Sequence, residues 1–462
     1  VAGVDDGSFC TRQRSRTDCT VHAIIYPRSK REGGEELMAG LILFGAFFVL
    51  LLLNVPIGLL LGISSILTLL YENLPVSMVT INMYSATSKF VLLAIPFFIL
   101  GGNIMEKSGI SQRLIDFCKS LVGHRKSGMA LVCVIVACFF AAISGSGPAT
   151  VAALGMIIIP AMVKAGYDKA SSTALMSTSG AIGIIIPPSI TFVIYGSITG
   201  TSVGSLFASG IVPGILMGAL LLTAMMWMSR KRELKLMPKA SAKERWSSFK
   251  DAFWGLMMPV IILGGIYGGI FTPTEAAAVS ALYGLLVGLF IYKSIRIRDI
   301  LEILKDSVSQ TAVVMFIVGT ASLFAWVLTV TGMAASASNM LIDICNGNKY
   351  IFLLIINVIL LIAGCFIDAN SASYIFVPIL FPVAASLGID AVHLGCIMVM
   401  NMAIGLVTPP VGVNLYVGCG IADVSLKDIS KAVLPFVAVS ILTLLLVTYI
   451  PQISMAIPNL VK

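Results

Sequence analysis

Gly180-Ala181-Ile182-Gly183-Ile184-Ile185-Ile186-Pro187-Pro188-Ser189 has a second copy in this chain, Met402-Ala403-Ile404-Gly405-Leu406-Val407-Thr408-Pro409-Pro410-Val411. The copies are 222 positions apart (409 − 187). The same offset pairs Pro160 with Pro382, Gly166 with Gly388, Asp168 with Asp390, Gly196 with Gly418 and Pro213 with Pro435, without a gap. A doubled proline removes two backbone donors and cannot continue a helix, and the residue before it is pushed out of the helical region. Inside a bilayer such a break survives only where the freed carbonyls are buried in protein or line a cavity. Two kinked helices without a ligand are the plainer reading of either copy alone. Matched breaks in two half-molecules point instead to a binding site near the membrane midplane.

The surroundings require a membrane. Of 462 residues, 58% are hydrophobic and 11% charged, against roughly 25% charged in soluble domains. This predicts an all-α polytopic protein. The net charge of +8 does not indicate nucleic acid, because the basic residues sit in short connectors between apolar runs, as the positive-inside rule describes. The nine cysteines are scattered and form no Cys-x-x-Cys pair, so neither a disulfide framework nor a zinc site is expected. Residues 1–37 are polar and basic without periodicity and lack the apolar core of a signal peptide. We expect the membrane part to begin at Met38 and residues 1–37 to be an extension, foreign to the natural chain or left from a fused upstream domain.

From 39 to 71 the sequence reads as one apolar stretch bent near Pro56, followed by a polar connector at 72–89 and a span from Phe90 to Met105. Residues 106–126 are amphipathic and basic, hence cytoplasmic. Two apolar runs, 128–143 and 149–163, are each too short to span comfortably. They have basic flanks and enclose Ser144-Gly145-Ser146-Gly147-Pro148. That pattern predicts a re-entrant hairpin over 128–163, entered from the cytoplasm. A broken crossing at 170–199 and a span at 204–228 complete a first repeat over 38–228. Residues 229–274 read as a basic linker and linking helix. The second repeat, 275–462, has its hairpin over 351–387, with a tip at Asp368-Ala369-Asn370-Ser371, and its broken crossing over 392–421. The flanks of this hairpin carry almost no basic charge, so it enters from the opposite side and the repeats are inverted. Paired hairpins and broken helices in inverted repeats are the architecture of a secondary transporter. The alternatives are an ion channel, which more often uses rings of subunits with one filter each, or a symporter that needs no binding protein.

The side chains at the two tips and two breaks are hydroxyls, amides and one carboxylate, Asp368, with glycines that let backbone carbonyls approach a ligand. Such oxygen donors suit a hard cation. We expect Na⁺ ligands among Ser144, Gly145, Ser146, Gly147, Gly180, Gly183 and Pro187 in one half. In the other half the candidates are Asp368, Asn370, Ser371, Gly405, Thr408 and Pro409. Helix N-termini begin after each tip and break, and their N–H groups suit an anion. No lysine or arginine lies between 127 and 163, 170 and 199, 350 and 390, or 392 and 426. An anionic substrate there would be held by helix ends and bound cations, with Ser146, Pro148, Ser189, Asn370 and Asn414 as candidate contacts. Asp368 reads equally as the cap of a helix starting near Ser373. No Gly-rich lysine loop or His-Glu-x-x-His cluster occurs, so neither ATP hydrolysis nor proteolysis is expected.

Leu92-Leu-Ala-Ile-Pro96-Phe-Phe-Ile-Leu-Gly-Gly102, the tip Ser144–Thr150, Gly183–Ser189, Thr272-Pro-Thr-Glu-Ala276 and Gly405–Gly412 together resemble the large membrane subunit of tripartite ATP-independent periplasmic (TRAP) transporters. The likeness covers roughly 38–460. It implies Na⁺-coupled uptake of an organic acid, of sialic acid or C4-dicarboxylate type, across a bacterial inner membrane by an elevator motion. It also implies two partners, a periplasmic substrate-binding protein and a small membrane subunit. The family's ion sites would fall at Ser144–Pro148 with Gly180–Pro187 and at Asp368–Ser371 with Gly405–Thr408, with the substrate between the tips.

Overall fold

The computed structural model describes residues 33–461, and these contain helices and turns but no strand. The extension expected at 1–37 lies outside the described residues up to position 32; from Gly33 the chain is already helical. The first arm comprises α1 (Gly33–Leu52), α2 (Ile57–Tyr71), α3 (Ser77–Thr87), α4 (Ala94–Lys107) and α5 (Ile110–Val122). A hairpin follows, α6 (Gly128–Ser144) and α7 (Gly147–Lys164), then the broken crossing α8 (Lys169–Ala181) and α9 (Ile190–Thr199), then α10 (Val203–Ser229). The second arm is α11 (Ala242–Tyr267), α12 (Pro273–Leu286), α13 (Ile297–Val330) and α14 (Met333–Cys345). Its hairpin is α15 (Lys349–Gly364) and α16 (Ala369–Ser386), and its broken crossing is α17 (Ala391–Gly405) and α18 (Val413–Ala422). Helices α19 (Leu426–Tyr449) and α20 (Pro451–Val461) close the chain. Among the described residues, eight helices are long and apolar enough to cross a bilayer.

The helix bounds follow the 222-residue offset (409 − 187). Helix α7 maps onto α16 end for end, and α5, α6, α8, α9 and α10 fall within two residues of α14, α15, α17, α18 and α19. The paired aspartates explain part of this. Asp168 accepts from the Ser171 amide (2.9 Å) and Asp390 from the Val392 amide (2.8 Å), so each caps the helix that leads to a doubled proline. Both Pro-Pro bonds, 187–188 and 409–410, are cis.

Three local expectations change. The stretch 39–71 is two helices packed on each other, not one bent span. Asn54 takes a left-handed conformation (φ 57), and the amides of Asn54 and Val55 return to the Leu51 and Leu50 carbonyls, which ends α1 as a helix-terminating turn. The connector 72–89 contains α3, whose weak periodicity is compensated by packing on α13. Within 229–274, Ser241 and Glu244 form a capping box that starts α11. Residues 230–241 lie across the base of the first hairpin: the Lys235 amide donates to the Ala165 carbonyl (3.0 Å), and Gly166, at φ 98, passes under the Glu233–Leu234 backbone. Finally, α16 starts at Ala369 rather than near Ser373, since Asp368 is its cap.

The packing divides the molecule into a core, α6–α10 with α15–α20, and a frame, α1–α5 with α11–α14. Helix α13 of the frame packs on α16 and α4 packs on α6, so both hairpins rest on frame helices. Within the core, Gly364 at the end of α15 touches Gly405 at the second break. A Cβ on Gly405 would stand 2.5 Å from the Gly364 carbonyl carbon and oxygen. Backbone cannot yield as a side chain would, so Gly405→Ala should lower stability by about 1–3 kcal/mol. Gly420→Ala, with nothing within 4 Å of the new Cβ, should leave it unchanged. Thermal melting of the two variants in detergent checks this; equal melting temperatures would show that the Gly364–Gly405 approach is not tight.

Candidate functional site

The first tip is the turn between α6 and α7, and its glycines decide how deeply it seats. Gly145 is left-handed (φ 61), and a Cβ there would meet the Pro188 carbonyl oxygen at 2.7 Å. Ser144 Oγ lies 2.8 Å from Thr150 Oγ1, which donates to the Ser146 carbonyl at 2.7 Å. These three oxygens abut the bare backbone of Gly183, where a Cβ would sit 3.0 Å from Thr150 Oγ1 and 3.1 Å from the Ser146 oxygen. Gly180 is packed as closely, its missing Cβ occupied by Val151 and lying 3.2 Å from the Gly147 carbonyl oxygen. Pro187 and Pro188 are buried behind them. The structure thus brings Ser144–Gly147, Gly180, Gly183 and Pro187 together. It adds Thr150, whose hydroxyl faces Ser144 because it lies one turn into α7.

The second break joins the same cluster through Asn414. This residue is fully buried, and its amide donates to the Ser177 carbonyl (3.1 Å) while Ser177 Oγ donates back to the Asn414 carbonyl (3.1 Å). A Cβ on Gly147 would lie 3.2 Å from Asn414 Oδ1, and that oxygen has no hydrogen-bond partner. Asn414 therefore ties break two to α8 and turns a free acceptor towards tip one. Ser189 is likewise fully buried, its hydroxyl donating to the Ile184 carbonyl at 2.6 Å as it caps α9. Both were candidate substrate contacts, and the structure places both fully buried.

The second tip is built differently. Asp368 accepts from the amides of Asn370 (3.0 Å) and Ser371 (3.1 Å) and from the Ser371 hydroxyl (2.5 Å), so the cap reading of Asp368 holds in the structure. Asn370 Oδ1 accepts from Thr191 Oγ1 (3.3 Å) and links this tip to α9. Thr408 donates to the Ile404 carbonyl (2.7 Å) and reaches neither Asp368 nor Ser371 by a hydrogen bond, while Pro409 is part of the turn that follows. Asn401, one turn before Gly405, donates to Asn357 Oδ1 (2.8 Å), and its own Oδ1 is buried without a partner. Sequence reading missed Asn401, although its offset mate, Ser179 (401 − 179), is also buried with an unpartnered oxygen. Duplicated buried polar positions were the available signal.

A cavity of about 350 Å³ opens in front of tip one. Ser144, Ser146 and Ala149 line its core side, and Asn103, Glu106 and Gln310 its frame side. Helices α4 and α13 run side by side here: Asn103 Nδ2 donates to Ser307 Oγ (2.8 Å), and Lys107 pairs with Glu302 (3.3 Å). The ends at Lys107 and Ile297 lead into basic connectors, so the frame wall of the cavity lies towards the end that those residues mark as cytoplasmic. At the other end of the same span, Lys89 Nζ donates to the Ser197 carbonyl (2.7 Å) near the end of α9. Burial pushes the Lys89 ammonium pKa down. Val313 of α13 also borders a second cavity, of about 540 Å³, that includes Asp368, so the same frame helix lines the cavity beside each tip.

A family model described as tripartite ATP-independent periplasmic transporter, DctM component, matches residues 44–453. The chain belongs to this family. It is 44% identical over 400 residues, 86% of this chain and 93% of the relative, to the C4-dicarboxylate TRAP transporter large permease protein DctM of Pseudomonas aeruginosa. It is 42% identical over 416 residues, 90% of this chain and 65% of the relative, to the isethionate TRAP transporter permease protein DctMQ of Oleidesulfovibrio alaskensis. In fold it is similar to the crystal structure of the Alcanivorax borkumensis YdaH transporter, described as having an unusual topology (TM-score 0.59, 13% identity, 80% of this chain and 86% of that one). The TRAP permease is thus a multi-pass inner-membrane transporter component and not an enzyme, working with a small membrane subunit and a periplasmic binding protein in secondary transport.

On the expectation that tip one serves both a Na⁺ ion and the substrate, its geometry assigns them to different groups. Thr150→Val keeps the volume but removes the hydroxyl between Ser144 and the Ser146 carbonyl, a change worth about 1–3 kcal/mol at a buried site. It should raise the half-saturating Na⁺ concentration several-fold. Ser146→Ala leaves that carbonyl in place and changes only the cavity surface, so it should raise the half-saturating substrate concentration with Na⁺ dependence unchanged. Uptake titrations of both variants in proteoliposomes check the split; identical profiles would merge the two roles.

Proposed function

We propose that this permease couples uptake of an organic acid to Na⁺ moving inward with it, by displacement of the core against the frame. The observation that carries this reading is the oxygen cluster of Ser144 Oγ, Thr150 Oγ1 and the Ser146 carbonyl, packed on Gly183 and bordered by the unpartnered Asn414 Oδ1. Hydroxyl, amide and carbonyl oxygens suit a hard cation; a proton relay would want a chain of Asp, Glu and His. The residues fit a Na⁺ ion, which when bound supplies positive charge beside the start of α7. The chain's own part is to hold these oxygens close and to keep basic side chains away. The start of α7, Gly147 and its neighbours, would then take the substrate carboxylate. A second ion at Asp368–Ser371 with Gly405–Thr408 has weaker support, because the Asp368 oxygens already accept three hydrogen bonds.

An elevator is favoured because each hairpin packs on a frame helix, α6 on α4 and α16 on α13, while the breaks lie wholly within the core. Moving the core along the frame carries both tips together and alternately exposes them. In the present arrangement the frame wall of the cavity lies towards the basic end, and the Lys89–Ser197 contact joins core to frame at the other.

Uptake into proteoliposomes containing both membrane subunits and the binding protein should rise steeply with external Na⁺ at fixed pH. Equal uptake with choline in place of Na⁺ would refute the coupling. Asp368→Asn keeps the cap, since Asn caps about as well as Asp, and removes the charge. A several-fold rise in half-saturating Na⁺ supports an ion site at tip two, and no change returns Asp368 to the cap alone. Pro409→Ala lets helix re-form across the break and should abolish transport even at saturating Na⁺; normal transport would separate the paired breaks from the site.

A further inference from the structure

The frame wall of the cavity in front of tip one has a chemistry that the ion site does not use. Asn103 spends its amide nitrogen on Ser307, which leaves its oxygen as the available group. Glu106 and Gln310 are exposed residues that line the cavity, and among the described residues no group donates to the Glu106 carboxylate. Lys107, beside Glu106, is engaged with Glu302 at 3.3 Å, and no lysine or arginine lines the cavity. The wall facing tip one is therefore rich in acceptors and carries a carboxylate.

We propose that Glu106, supported by Asn103 and Gln310, is a specificity-determining group, and that it selects an organic acid carrying one carboxylate and several hydroxyl groups over a plain dicarboxylate. This rests on the reading above that the substrate carboxylate sits at tip one. The far end of that substrate then faces Glu106. A hydroxyl there donates a charge-assisted hydrogen bond, among the strongest available to a neutral group. A second carboxylate there meets the like charges of Glu106 and, beyond it, Asp306, while the neighbouring Lys107 is engaged with Glu302, and the pair disfavours ionisation of both. Size agrees: about 350 Å³ is at the lower end of pockets that hold whole small molecules, roughly 300–1,000 Å³, and more than a four-carbon diacid fills.

The test is direct binding to the two membrane subunits in detergent with Na⁺ and without the binding protein, so that only the permease selects. The probes are gluconate, glycerate and N-acetylneuraminate against succinate and fumarate, in wild type, Glu106→Gln and Ser146→Ala. At least one hydroxylated acid should bind wild type ten-fold or more tightly than either diacid. Glu106→Gln should shrink that ratio at least ten-fold, weakening the hydroxylated acid and strengthening the diacid, which loss of folding alone would not do. Tighter wild-type binding of a diacid, no binding of any hydroxylated acid, or a ratio unchanged in Glu106→Gln would overturn the proposal. Ser146→Ala distinguishes the two levels. If it weakens every probe alike while Glu106→Gln leaves the ratio unmoved, only the role of Glu106 falls; if it changes no affinity, the tip-one reading falls with it.

Discussion

A backbone carbonyl stripped of its helical partner inside a bilayer must find another polar group or line a cavity, and each half of this chain creates such carbonyls at a doubled proline. Much of the core is arranged to bring partners to them. The tip of the first hairpin presses on the first break through Gly145, Gly180 and Gly183, and the end of α15 presses on the second through Gly364 and Gly405. Bulk at any of these glycines would hold the backbones apart and leave the carbonyls without near neighbours. The ion chemistry proposed above uses the same close approach, so the feature that makes the fold tolerable in a membrane also makes the site.

The caps extend this logic along the chain. Asp168 and Asp390 start the helices that run into the breaks, and Asp368 starts the second arm of its hairpin. Ser146 stands at the equivalent point of the first hairpin (368 − 146 equals the repeat offset) but makes no side-chain cap. Its hydroxyl is left for the cavity, whereas Asp368 is engaged with its own helix. The repeats are thus alike in backbone and unlike in the chemistry of their tips.

The frame supplies what the core lacks. Helices α4 and α13, joined by Asn103–Ser307 and Lys107–Glu302, bring the amides and the carboxylate that face the tip. Basic residues are kept to the connectors, where they orient the chain, and out of both hairpins and both breaks. An anion crossing such a protein is held by helix ends, hydroxyls and co-bound cations rather than by fixed positive side chains. In the proposed Na⁺-coupled reading its binding then depends on the ion.

Sequence alone determined the repeat, the two hairpins, the two breaks and the residues Ser144–Gly147, Gly180, Gly183, Asp368 and Gly405, because proline and glycine have fixed backbone consequences and the offset repeats them. The placement of lysine and arginine set the expected sidedness. Tertiary structure decided the rest. The turn at Asn54 and the helix α3 depend on packing against α2 and α13, which local periodicity does not encode. The roles of Thr150 and Asn414 arise because α7 and the second break meet across more than two hundred residues. Glu106 and Gln310 read in sequence as ordinary residues of an amphipathic end and a span, and only the antiparallel pairing of α4 with α13 sets them opposite Ser146. Long-range proximity of this kind has no local signature, since any polar residue on a helix face reads the same until its neighbour across the cavity is known.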